Sequence, residues 1–343
     1  MFEHHHFAPS SALVSRQRPN GHEDDPFQGR LRRALEDLPS LCENQQGPSS
    51  WDATRRWALL LPLAAWGWLV TVASLAFGHT SGPIRGTLGL GELCPAARSA
   101  RDNAQNSLAL FTVYNRFGSY GLELPEAGRR FSAGLFHSRN AQGVRNRLEL
   151  VVASLVAAID ARCPQDGTID LLSIASGSAQ AVWMAMQELE RRGSTRTIRV
   201  LLVDRDPGSH EHARSLAQRF GYEHCLTTVV GTASGFASIC EEHGFEPAII
   251  EMAGFLDYRS DEQATRLMSS ISRSLGPHGL FVSCHIHPNP EIPFVRWALG
   301  WPMRYRTTAQ FRSLIERSGF ALEAFLTEPQ GVHSVVVAQP ETL

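Results

Sequence analysis

The spacing of apolar and polar positions changes several times along the 343-residue chain, and each change marks an element. The clearest run lies between 168 and 206. Thr168 to Ile174 is a short apolar stretch, of strand length rather than helix length. Five small residues follow, Ala175, Ser176, Gly177, Ser178 and Ala179. Apolar positions then recur at helical spacing, at Val182, Met184, Met186 and Leu189, and stop at Gly193. A second apolar run, Ile198 to Val203, ends in Asp204. This order predicts a βαβ unit. Its tight turn and helix start fall at the carboxyl end of a parallel strand, where open α/β sheets bind ligands.

The alternation continues. Ser209 to Phe220 predicts a helix stopped by Gly221. Cys225 to Val230 predicts a strand running into Gly231 and Thr232, and Ala233 to His243 the next helix. Pro247 to Met252 is a fourth strand with Glu251 at its carboxyl end. A helix over 261–275, a Gly-Pro-His-Gly turn and a strand over 280–286 come next. Thr307 to Ser318 is helical. The runs 322–327 and 333–338 are strands joined by a short turn, and such neighbours are antiparallel. Residues 166–340 therefore read as one α/β domain, a doubly wound and mostly parallel sheet closed by a C-terminal antiparallel hairpin.

The N-terminal third differs. Residues 1–50 are polar and aperiodic and read as a disordered tail, with one short helix around Leu31 to Leu38. Residues 79–99 read as a linker, and 100–160 as a helical lead-in to the sheet. The segment 136–160 starts at a cap, Ser138 or Asn140, and crowds Asn140, Gln142, Arg145, Asn146 and Arg147 into its first turns. Residues 57–78 carry no charge over a length close to the roughly 20 residues that cross a bilayer. Two readings stand: a transmembrane helix, or a helix buried against the domain. Arg55 and Arg56 before the run and Arg85 and Arg98 after it give no orientation. Thr54-Arg55-Arg56 resembles a twin-arginine export signal, against which its depth in the chain argues.

Net charge is -2, which gives no electrostatic case for a nucleic-acid partner. The chain has no lysine, and its basic residues are all arginine, as GC-rich bacterial coding would leave them. Six cysteines are scattered without a C-x-x-C pair, so they read as reduced thiols of a cytoplasmic protein. No cluster of metal-ligand type has ligand spacing, and no metal is expected.

Two cofactors suit a strand, small-residue turn, helix, strand, acid order. The dinucleotide fingerprint G-x-G-x-x-G finds Ala175, Gly177 and Gln180 in its places. The stretch instead resembles motif I of the class I S-adenosylmethionine-dependent methyltransferases, acid-x-Gly-x-Gly-x-Gly. It departs from the motif at Ser173, where the acid would stand, and at Ala175 and Ala179. The helix, L-x-P-x-G, strand passage around Gly276-Pro277 is also similar to that family, as is the terminal hairpin. The resemblance covers about half of the chain.

The resemblance implies that S-adenosyl-L-methionine lies against Ser173, Ala175, Ser176, Gly177 and Ser178. Asp204, with Arg205 beside it, would hold the ribose hydroxyls; Asp206 is the rival, or else a helix cap. Gly231 and Thr232 would approach the adenine through backbone groups. Arg145, or Arg147, would pair with the methionyl carboxylate. Glu251 either lines the acceptor pocket or is a buried acid bonded to backbone. His285 and His287 face one side of their strand, and His285 is the candidate base for a hydroxyl acceptor. Trp297, Trp301, Met303 and Tyr305 form a candidate apolar wall. The expected function is methyl transfer to a small-molecule or lipid-like acceptor, the lipid being suggested by 57–78. The alternatives are a non-catalytic, membrane-tethered cofactor-binding protein and a nicotinamide-dependent oxidoreductase. A cytoplasmic catalytic domain, anchored or free, fits the cofactor.

Overall fold

A computed structural model describes residues 26–37, 61–62, 65–66, 69, 107–115, 136, 138–299 and 301–341. Strands β1 (Thr168–Ile174), β2 (Thr197–Asp204), β3 (Leu226–Val230), β4 (Ile249–Met252), β5 (Leu280–Ile286), β6 (Phe320–Thr327) and β7 (His333–Pro340) form one seven-stranded sheet in the order β3-β2-β1-β4-β5-β7-β6. The first five are mutually parallel, while β7 runs antiparallel to both β5 and β6. The fold is thus the expected mixed α/β sheet with a C-terminal hairpin.

Near-continuous apolar strands are what a sheet covered on both faces requires. Leu171 and Val200 face one layer, and Leu172 and Leu201 face the other. Helices α1 (Pro26–Asp37), α3 (Arg139–Arg162), α4 (Gln180–Arg191) and α5 (Pro207–Phe220) cover the first face. Helices α6 (Phe236–Glu242), α7 (Asp261–Ser274) and α8 (Thr308–Glu316) cover the second. Helix α2 (Ser107–Asn115) lies beside α3 and α5.

Helix α3 is the spine of the first layer, with every residue from Arg145 to Ala158 buried except Glu149. Ser138 caps it, its Oγ accepting from Ala141 N at 3.2 Å. The Glu291 carboxylate, from far along the chain, accepts from Arg139 N (2.9 Å) and Asn140 N (2.8 Å) at the same end, where free N–H groups favour an anion. Gly143 lets the hairpin turn approach, since a Cβ there would meet Val332 Cβ at 2.8 Å.

Two expectations about the N-terminal third need correction or limits. The short helix expected around Leu31 to Leu38 is α1, which starts earlier, at Pro26; it packs Phe27, Leu31 and Ala34 against the α3 layer, and Arg30 donates to Asp160 O at 2.9 Å. Most of 57–78 lies outside the described residues. Leu61, Pro62, Ala65, Trp66 and Leu69 are helical and exposed there. Among the described residues no helix is long and apolar enough to cross a membrane.

Candidate functional site

The turn from β1 into α4 carries three left-handed residues, Ala175 (φ 53°), Gly177 (φ 53°) and Ala179 (φ 51°). Two of them are alanines, for which this conformation is uncommon. The turn folds back on the end of β2: Ala175 N donates to Val203 O at 2.8 Å, and Gly177 N to Asp204 Oδ2 at 2.9 Å. The other oxygen of Asp204 accepts from Asp206 N at 3.0 Å. Asp206 itself caps α5 through Gly208 N, which separates the two rival acids.

This turn floors a cavity of about 1120 Å³ at the carboxyl edge of the sheet. Ala175, Ser176, Gly177, Ser178, Asp204, Arg205, Gly231, Thr232 and Glu251 all line it. Buried Ser176 Oγ has no hydrogen-bond partner among the described residues. Helix α2 contributes Ser107 and Tyr114 to the same wall. Arg259, which sequence reasoning passed over, also lines it, with its guanidinium 4.3 Å from the Phe255 ring centre.

Ser173 pairs in register with Glu251 on the neighbouring strand. It is fully buried and donates a short hydrogen bond to Glu251 Oε2 instead of lining the cavity. Burial pushes the Glu251 carboxyl up to about 7, against the opposing pull of Ser173, the Ala253 backbone and Arg147.

Behind Glu251 lies Arg147, buried on α3, whose Nη2 donates to Tyr114 Oη at 2.7 Å. Burial opposes its charge, yet Tyr114, Cys284 and Asp257 hold the guanidinium more firmly charged than an ordinary arginine. No described carboxylate lies within ion-pair distance of it. Burial would raise Asp257, but the facing His285, with His333 and Arg147, brings it down to about 2.

A second, smaller cavity of about 70 Å³ opens from the same region. It shares Leu110, Gly254, Tyr258 and Trp301 with the larger one. Arg147, Asp257 and His333 are its charged or titratable walls along with Tyr258, and Phe136, Phe294, Leu299 and Met303 are among its apolar ones. Trp301 Nε1 donates to Tyr258 Oη at 2.7 Å, tying the 294–303 segment to the end of β4. Of the residues expected to form an apolar wall, Trp301 and Met303 line this cavity, Tyr305 does not, and the Trp297 side chain lies outside the described residues.

Two expected site residues stand elsewhere. Arg145 lines neither cavity; its Nη2 donates to Phe136 O at 2.6 Å, behind the wall of the smaller one, and the helical turn aims Arg147, two residues on, at the site instead. His285 lines neither cavity. Strand alternation places it with Phe311 on the α7–α8 face, while the small cavity lies on the α3 side. Its Nδ1 lies 2.7 Å from Asp257 Oδ1, and Arg306 Nη1 donates to its Nε2 at 3.2 Å. His287 is equally engaged, between Arg306 O (2.7 Å) and Ser334 Oγ (2.6 Å). Among the described residues no cluster could hold a metal ion.

No family model matches the sequence, and no curated protein matches it. Solved structures do resemble it. A possible exported protein from Bordetella parapertussis aligns with a TM-score of 0.57 at 16% identity, covering 86% of this chain and 100% of its own. The citrinin polyketide synthase CMeT domain gives 0.48 at 12% identity, with 76% and 69% covered. Human N-acetylserotonin methyltransferase, solved with S-adenosylmethionine, gives 0.42 at 15% identity, with 75% and 68% covered. At 16% identity the first of these likenesses is one of fold.

Proposed function

We propose that this chain is an S-adenosylmethionine-dependent methyltransferase acting on a small-molecule acceptor. The observation that carries the reading is the β1–α4 turn. All three places where the family motif has glycine are left-handed, although two hold alanine. A backbone kept in a glycine conformation without glycine is a constraint worth about 1 kcal/mol or more per residue, and such strain concentrates at ligand sites. The antiparallel β7 supports the choice of cofactor, because the nicotinamide-binding Rossmann sheet continues in parallel where β7 turns back.

The residues present suit the cofactor. The Asp204 carboxylate, braced by two backbone N–H groups, keeps lone pairs for a pair of vicinal hydroxyls. Ser176 Oγ offers an unused hydrogen bond, and Gly231 and Thr232 line the side where a base would lie. Arg205 and Arg259 supply cations on the cavity wall for a carboxylate, the part expected of Arg145. When bound, the cofactor supplies an activated methyl group. The protein orients the acceptor beside it and excludes water, and orientation alone is worth several kcal/mol of the barrier. The 57–78 run supports a lipid-like acceptor as a narrower form of the same reading. Membrane association lost on deleting those residues is its test.

The deciding experiment is calorimetric titration of the full chain with S-adenosylhomocysteine and, separately, NADH. Micromolar binding of the first alone is expected, weakened at least tenfold in Asp204→Ala. Binding of NADH alone would sink the proposal.

A further inference from the structure

Three buried histidines stand near the end of β5, and one differs from the others. His287 has a partner at each ring nitrogen, and His285 has Arg306 at Nε2 and the Asp257 carboxylate 2.7 Å from Nδ1, though not in hydrogen-bond geometry. His333 is 1% exposed, yet neither of its ring nitrogens has a hydrogen-bond partner among the described residues. Its position is held with care. Glu328 accepts from the backbone N–H groups of Gln330, Val332 and His333, and from Asn146 of α3. The imidazole, which lines the small cavity with Arg147 and Asp257, is left unused.

A buried imidazole without hydrogen bonds costs free energy of the order of 1–3 kcal/mol, and a buried guanidinium without a carboxylate partner costs more. Both costs fall on the wall of one cavity. The Asp257 charge is already engaged by His285 and by Ile286 N, at 3.1 Å. Arg147 has the Tyr114 hydroxyl, a group whose pKa burial raises, and no carboxylate among the described residues. The cavity therefore presents one strong donor and one free imidazole within an otherwise mostly apolar lining.

We propose that this cavity is the acceptor subsite and that its ligand is a compact, apolar molecule with one acidic hydroxyl, of the phenol or enol class. His333 accepts the hydroxyl hydrogen bond, and Arg147 donates to the hydroxyl oxygen. Burial and the Arg147 charge keep the imidazole neutral, the state in which it can accept. Phe136, Phe294, Leu299 and Met303 receive the apolar body. The space, about 70 Å³ against roughly 10–15 Å³ for one water, admits a small ring and excludes a polymer. Arg147 stands at the boundary with the larger cavity: its Nη1 lies against Gly254, a wall of both, and its Nη2 donates to Tyr114, a wall of the larger. The identification as an acceptor rests on the methyltransferase reading; the binding chemistry does not.

Binding can be tested without any methyl donor. The probes are 4-nitrophenol and its methyl ether, 4-nitroanisole, titrated calorimetrically into the full chain. A site built to receive a hydroxyl rejects an analogue that lacks it. The phenol should bind roughly tenfold more tightly than the ether or better. His333→Leu should abolish that preference. Arg147→Gln should weaken both probes, with thermal melting to show that it folds. Equal affinity of the wild-type chain for the two probes overturns the proposal, as does a preference that survives in His333→Leu. The wild-type comparison decides even if either variant fails to fold. S-adenosylhomocysteine titrated into the same samples scores the methyltransferase reading separately: a phenol preference without it leaves the subsite standing and the donor wrong.

Discussion

Ala175 shows how a single residue can report on a site. An alanine at φ 53° pays roughly 1 kcal/mol or more that glycine would not. Glycine would lose part of that gain through the unfolded chain. Ala175→Gly is therefore expected to stabilise the protein by about 0.5 kcal/mol, read as a rise of a degree or two in thermal unfolding. Glu251 makes a second prediction. Its carboxyl titrates at about 7 in the folded chain and near 4.5 when unfolded, so the folded state binds the proton more tightly. The stability this gives is complete below about pH 4.5 and is lost as pH rises through about 7. The loss is on the order of 3 kcal/mol. Glu251→Gln should flatten the fall in stability between pH 5 and 8, measured by urea unfolding across that range. An unchanged slope would mean that Glu251 is ionised throughout.

The hairpin between β6 and β7 shows an element held by one side chain. Glu328 accepts three backbone N–H groups of the turn and one amide from α3. Burial raises its carboxyl above the ordinary range even so. Glu328→Ala leaves those donors unsatisfied and should cost about 3 kcal/mol or more, whereas Glu328→Gln, which keeps one acceptor, should cost less. Chemical denaturation of the two variants checks the order. The elements themselves were largely legible in the sequence. β1 and β5 fall on the expected residues, and the other strands shift by a few at their ends, because buried parallel strands leave continuous apolar runs. Asp204 and the small-residue turn were legible for the same reason, since they punctuate those runs. Side-chain direction was less so. Arg145 and Arg147 lie one turn-fraction apart, and only the placing of α3 decides which enters the site. The sequence did carry one usable signal for His333: alternation along β7 puts it on the α3 side with Val335 and Val337, opposite Ser334.

The whole chain closes its cavities with parts from both ends. The sheet domain alone, 166–340, holds the β1–α4 turn and Asp204. It lacks α2 and α3, which supply Ser107, Tyr114 and Leu148 to the larger cavity and Arg147 to the smaller. It also lacks the helix that covers the middle of one sheet face, with Val151, Val152, Leu155, Val156 and Ile159 buried against it. Five such side chains at roughly 1.5–3 kcal/mol each match the whole net stability of a typical domain. The 166–340 fragment should therefore not unfold cooperatively, and it should expose apolar surface. A fragment starting at residue 100 keeps α3 and loses α1 together with the exposed helical residues between 61 and 69. Uncovering the places of Phe27 and Leu31 should cost it about 4 kcal/mol while leaving the cavity walls in place. Thermal unfolding followed by near-ultraviolet circular dichroism separates the cases. A sharp transition is expected from the longer fragment, at a lower temperature than for the full chain, and none from the shorter. A sharp transition in 166–340 would show that the sheet stands without its spine, and would make the N-terminal helices a lid on a finished domain instead of part of its core.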